Sequence, residues 1–554
     1  MLTAIETAQS PATAAVRLAS DNFRANLSAL ASFHPGLPAL LPGNDTHPTW
    51  LFARDGYLTT RSETAAWLSG CSIPLRTAHR LLQKLELTGT LGCFLNPNHP
   101  AQIRVALEKI QPIQAIVAVI PYLRNLHTFL HCEDFSPDIR AARLFFVAGP
   151  DWPDQLAALF EKFPGLPLPQ QFIRTSLLDD SEMADLSSEA QRIISHETSR
   201  RSEKMPEILI RAQSQKRSGR TIILAGSRFN LADLSNIALR HALLDGDPSF
   251  IAFDPDHPLT AGPLALAEAA AESDALVTAD LCRADLPNVV SEKTAWIAWI
   301  TTGRIVAPDT NAPRDAILLA DPAWRPAAID AGWPATRIHI AGWPQIIPAS
   351  LTATAAPILG LLTDTRSIEI PQKVKDFSSQ LLLWEYVEDE LSRDPLALGD
   401  DPDRYLNTRM ARFNLHDEGF ERPLFIERLI APAYKRGLAL LLLKNGIRLS
   451  LFGRGWTEIP ELKSHATGPI EDLPALSRAI SQCRAVLQPL PDRTTQAGLP
   501  VPTIRTVGLH PARLLGRIRE TLAAKSPVRD NPTSLNRDLI AFLLNAVVEV
   551  PVSK

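Results

Sequence analysis

The chain has 554 residues, enough for three or four domains, so a single small module is excluded. Hydrophobic residues make up 45% and charged residues 21%, which excludes a wholly disordered chain and leaves material for a sizeable core. The net charge of −4 offers nothing global to attract nucleic acid or an anionic membrane, so a charged ligand has to be met by a local patch.

In chain order, residues 1–180 read as an N-terminal mixed α/β accessory domain. It opens with a mostly helical stretch containing TAHRLLQKLEL. The apolar runs QAIVAVIP (114–121) and RLFFVAG (143–149) then read as buried strands, the second leading into a helix, DQLAALFEKF. Residues 181–218 are densely charged and predict an exposed helical linker. From 219 the pattern changes to short β-rich runs alternating with helical stretches, which demands a mostly parallel sheet covered by helices. The runs are TIILAG (221–226), SFIAFD (249–254), ALVTAD (275–280), TAWIAWI (294–300), AILLAD (316–321) and RIHIAG (337–342). Together they predict a first doubly wound, Rossmann-like domain over 219–347. The small, proline-bounded PASLTATAAP reads as a linker. A second doubly wound domain over 357–550 follows, with strands in ILGLLTD (358–364), IRLSLFG (447–453) and AVLQPLP (485–491) and a long helical region between the first two.

Five widely spaced cysteines without a CxxC pair argue against a zinc ribbon, an Fe–S site or a disulfide scaffold, and fit a reduced, cytoplasmic setting. The N-terminus has no basic region followed by an apolar one, so no signal peptide is expected, and no apolar run approaches the roughly 20 residues that cross a bilayer. His131 to Asp134 spell HCED, but no partner pair stands at ligand spacing, so no metal is expected.

The candidate chemistry lies at strand ends. In GRGW, Gly453 and Gly455 let the backbone approach a ligand at the carboxyl end of a parallel strand. Arg454 offers a forked cation for a diphosphate, and Trp456 a flat surface for a nucleobase or sugar. The alternative is an ordinary turn with an exposed arginine and a packed tryptophan. Gly226 and Ser227 form a second phosphate-cradle candidate at the start of a helix, with plain capping as its alternative. Asp254, Asp256 and His257 follow the second strand of the first doubly wound domain and are candidates for a general base, as is Asp280; solvated turn formation is the alternative. Arg493 and Arg505 lie after the strand AVLQPLP.

Three segments, DAILLADPAWRPAAIDAGWPATRIHIAGWP (315–344), LLLLKNGIRLSLFGRGWTEIPEL (440–462) and GPIEDLPALSRAISQCRAVLQPLP (468–491), resemble GT-B glycosyltransferases, and among them the CgeB-like, spore-maturation-like family. The resemblance implies two facing Rossmann-like domains of GT-B type, an acceptor side at 219–347 and a donor side at 357–550. It also implies transfer of a sugar from a nucleotide-sugar donor to an acceptor, with no resident cofactor or metal. Gly453, Arg454, Gly455, Trp456, Arg493 and Arg505 would then bind the donor. The chain departs from that pattern beyond Pro491, where no Asp or Glu lies between Asp492 and Glu520 to take the donor ribose. Either the donor is held through its phosphates, or the shell is retained as a non-catalytic binding or scaffolding protein.

Overall fold

In a computed structural model, residues 11–33, 36–41, 49–62, 66–87, 89–111, 113–175, 180–214, 218–226, 234–244, 248–344, 357–399, 401–416, 420–489, 503–505, 511–523, 535 and 539–540 are described. The chain divides into two compact units, one of residues 1–216, 253–272 and 288–291, the other of 217–252, 273–287 and 292–554.

The first unit begins with the helix Pro11–Phe33 and an antiparallel hairpin of β1 (Thr49–Phe52) and β2 (Leu58–Arg61). Four parallel strands follow: β3 (Leu91–Leu95), β4 (Ala115–Ile120), β5 (Leu144–Ala148) and β6 (Gln171–Arg174), in the order β5-β4-β3-β6. Every residue of β3, β4 and β5 is buried, because helices cover both faces of a parallel sheet, and that is why these strands read as unbroken apolar runs. The N-terminal helix is fastened by amides. Asn26 Nδ2 donates to the Leu130 and Glu133 carbonyls, each at 2.8 Å, and its Oδ1 accepts from the Phe135 N–H, so one side chain satisfies the end of the helix Leu123–Cys132. The charged stretch is a helix, Asp180–Ser214. Its Leu186, Ala190, Ile193 and Ile194 pack on the sheet's apolar cluster, which fixes it to this unit.

Residues 253–272 pack with this unit as well. The Gly262 N–H donates to the Gly165 carbonyl at 2.7 Å, and a Cβ on Gly165 would stand 2.2 Å from the Leu259 carbonyl oxygen, so the approach requires glycine. Lys204 reaches Glu268 at 2.7 Å.

The second unit holds two separate sheets. One comprises β7 (Thr221–Leu224), β8 (Phe250–Phe253), β9 (Ala275–Ala279), β10 (Ala295–Ile300), β11 (Ala316–Leu319) and β12 (Ile338–Ile340), ordered β12-β11-β10-β9-β7-β8. The other comprises β13 (Leu359–Leu362), β14 (Leu449–Phe452), β15 (Ala466–Gly468), β16 (Ala485–Gln488) and β17 (Thr503–Arg505), ordered β15-β14-β13-β16-β17. Both orders are those of doubly wound α/β sheets, and one apolar cluster draws on both, taking Ile223, Val277 and Trp299 with Leu362, Phe452 and Val486. The outer face of the five-stranded sheet is covered by the helices Ser378–Arg393 and Ala431–Lys444. Among the described residues no helix is long and apolar enough to cross a membrane.

Candidate functional site

Open parallel sheets bind ligands outside the carboxyl ends of their strands, at the point where the strand order reverses. In the five-stranded sheet that point lies between β13 and β16. The chain leaves β13 through residues 363–366 and leaves β14 through GRGW, and the two loops are laced together. The Thr363 N–H donates to the Phe452 carbonyl at 3.1 Å and the Thr365 N–H to the Arg454 carbonyl at 2.9 Å. Asp364 Oδ1 accepts the Arg454 N–H at 2.7 Å. From below, the buried Lys435 Nζ donates to the Asp364 carbonyl at 3.0 Å.

This lacing explains both glycines. Gly453 has φ 126° and Gly455 φ 82°; an added Cβ would stand 2.3 Å from the Thr363 carbonyl oxygen and 2.1 Å from that of Thr365. The close approach expected of them is thus to a neighbouring loop of the same sheet. Trp456 is fully buried, and its Nε1 donates to the Thr363 carbonyl at 2.8 Å. The flat surface expected of it is covered by the core, because the positive φ of Gly455 turns the chain inward. Arg454 is the group left outward, with a side chain 64% exposed and a guanidinium 4.0 Å from the equally exposed Glu471, a pairing of little energetic weight. Arg366, also exposed, stands on the facing loop. Arg505 ends β17 on the same carboxyl edge, and Arg493 lies outside the described residues.

In the six-stranded sheet the reversal lies between β7 and β9. Gly226 follows β7, and Arg240 Nη1 donates to the neighbouring Ala225 carbonyl at 3.1 Å; Ser227 lies outside the described residues. Asp280, at the end of β9, has φ 54°, a left-handed conformation that Asp tolerates better than most residues. Its carboxylate accepts the N–H of Thr301 at 2.7 Å, the N–H and Oγ1 of Thr302 at 2.9 Å each, and the Thr301 hydroxyl. Burial pushes its pKa up while these four donors pull it down, and burial wins. A carboxylate with four protein donors has its lone pairs occupied, so Asp280 pins the loop after β10 rather than taking a proton from an acceptor.

Asp254, Asp256 and His257 follow β8 and group with the first unit. Asp254 Oδ1 accepts the Asp256 N–H at 2.9 Å, the Asp254 carbonyl accepts the Thr260 hydroxyl, and His257 Nδ1 accepts the Leu259 N–H at 3.2 Å. All three are half-buried, and these bonds make a tight local turn. GRGW belongs to the other unit, so the expected base and the expected donor loop are not parts of one compact body.

The HCED residues are engaged in packing and pairing. His131 lies flat between Phe23 and Trp50, with ring centroids at 4.0 and 4.9 Å, and Glu133 pairs with Arg104 at 2.9 Å. Asp364, Lys435, Thr301 and Thr302 were not singled out from the sequence. Asp364 had a local signal, as the acid that ends a strand, but nothing local links it to a loop 90 residues away.

No known family model matches the chain, and no curated protein matches it. Among solved structures it is similar to the MAf glycosyltransferase from Magnetospirillum magneticum AMB-1, at 12% identity over 96% of each chain and a TM-score of 0.26. That TM-score is too low to read as a shared overall fold.

Proposed function

We propose that the protein is a glycosyltransferase that takes its sugar from a nucleotide-linked donor, with the five-stranded sheet on the donor side and the six-stranded sheet on the acceptor side. The observation that carries this reading is the exposed Arg454, on the loop after β14, which is hydrogen-bonded to the loop after β13 and so stands beside the reversal point of a doubly wound sheet. A guanidinium presented there, with the exposed Arg366 on the neighbouring loop, suits the diphosphate of a donor and offsets the charge that develops on the leaving group. Gly453, Gly455 and Trp456 serve this site by shaping the loop, Arg454 by touching the ligand. Arg493 and Arg505 remain candidates for the same diphosphate, and Gly226 with Ser227 for an anion at the other sheet. Asp254, Asp256 and His257 are the proposed source of the base, and no resident metal or cofactor enters the scheme.

A second reading, a binding or scaffolding protein without turnover, is favoured by the burial of Trp456 and by the turn bonds that engage Asp254 and His257. A thermal-shift screen of the full chain against nucleoside diphosphates and nucleotide sugars tests both. A ligand at 100 times its dissociation constant stabilises by about 2.7 kcal/mol. A shift with one nucleotide, together with slow hydrolysis of its sugar conjugate, is the expected result. A shift without hydrolysis or transfer to any acceptor supports the second reading, and no shift with any nucleotide overturns the first.

A further inference from the structure

The first unit carries a cavity that none of this uses. It measures about 360 Å³, at the small end of the range for ligand sites, and is shallow and largely open to solvent. Pro121 and Tyr122, directly after β4, and Trp152, at the start of the helix Trp152–Lys162 after β5, form an aromatic wall on the carboxyl edge of the four-stranded sheet. The opposite side is one face of the helix Asp180–Ser214, which contributes Glu182, Asp185 and Glu189. Among the described residues that line it there is no lysine or arginine. Tyr122 is 47% exposed, and the Arg124 guanidinium carbon lies 5.8 Å from its ring centroid, at the outer limit of a cation–π contact. Glu189 is held by Arg192 at 2.6 Å. Glu182 and Asp185 sit near the helix start, where carboxylates suit the dipole, but that preference does not account for an aromatic wall facing them.

We propose that this cavity receives a basic side chain, lysine or arginine, presented by a polypeptide partner next to a proline or another apolar residue. Charge complementarity selects the cation, and the aromatic and proline wall selects its aliphatic stem and apolar neighbour. The proposal does not depend on the donor site.

The test uses the full chain and a fluorescein-labelled peptide of alternating lysine and proline, read by fluorescence anisotropy, with a glutamate-for-lysine peptide as control. Binding of the lysine peptide alone, weakening as salt rises, is expected. Tyr122→Ala should weaken it by about two- to fivefold, the usual worth of a cation–π contact at an exposed site. Glu182→Gln/Asp185→Asn should weaken it at least as much and flatten the salt dependence. All three positions are exposed enough to keep the fold, which unchanged melting confirms. Equal binding of the glutamate peptide, no binding of the lysine peptide, or full affinity in both variants overturns the proposal. Butylammonium binding as tightly as the peptide also overturns it, by making this a small-cation site.

Discussion

At the scale of single residues, Gly453 and Gly455 are where this fold tolerates change least. Alanine at either position would need a left-handed φ and would drive its Cβ into a carbonyl oxygen that cannot move without unlacing β13 from β14. Each substitution should cost at least about 2 kcal/mol, seen as a lower urea midpoint at unchanged slope. A second residue-scale effect comes from His99, buried at the start of the helix Pro100–Lys109. The Ala101 N–H donates to its Nδ1 at 3.1 Å, so its other ring nitrogen, 3.2 Å from Thr59 Oγ1, carries the proton and donates. Burial disfavours the charged imidazolium and lowers its pKa to about 3, against a smaller upward pull from Asp55. The unfolded chain takes up that proton near pH 6.5 and the folded chain does not, so this stability is complete above about pH 6.5 and is lost as pH falls towards 3. His99→Asn keeps a capping oxygen and removes the titration. The difference in melting temperature between the wild type and this variant should therefore shrink steadily from pH 7 to pH 4.

At the scale of elements, a buried ion pair ties β9 to β11 in the second unit. Arg283, after β9, grips Asp315, before β11, through two 2.7 Å bonds, and Asp315 also accepts the Trp296 N–H. Both side chains are buried, so Arg283→Ala leaves a carboxylate without its partner and should destabilise by about 3–5 kcal/mol; Asp315→Ala with Arg283→Met should recover much of that in the same denaturation assay. At the carboxyl edge of the five-stranded sheet, Arg454 has no comparable structural duty, since its exposed side chain only approaches Glu471. Arg454→Ala should leave melting unchanged yet weaken a bound nucleoside diphosphate by at least about tenfold, the worth of a charge-assisted hydrogen bond. Calorimetric titration against the nucleotide found by the thermal-shift screen checks it, and unchanged affinity removes Arg454 from the site.

At the scale of the whole molecule, each compact unit has apolar clusters of its own, so unfolding should not be a single two-state event. Scanning calorimetry should give a calorimetric enthalpy larger than the van't Hoff value, and His99→Asn should shift only the transition of the first unit. The parallel sheets of the second unit were legible in the sequence, because a strand buried on both faces must be apolar throughout and must be followed by a helix that returns the chain. AILLAD and TAWIAWI carry that signature without help from the rest of the fold. The strand LGCFL and the hairpin before it do not stand out, since a short run interrupted by glycine looks the same in a loop as in a sheet. Composition and local periodicity thus determined the class of the fold and which runs become strands, because burial and hydrogen bonding act on each segment separately. Tertiary structure alone decided the role of GRGW. Whether a glycine faces a ligand or a carbonyl, and whether a tryptophan stacks or packs, depends on atoms about 90 residues away, which meet only when β13 and β14 pair.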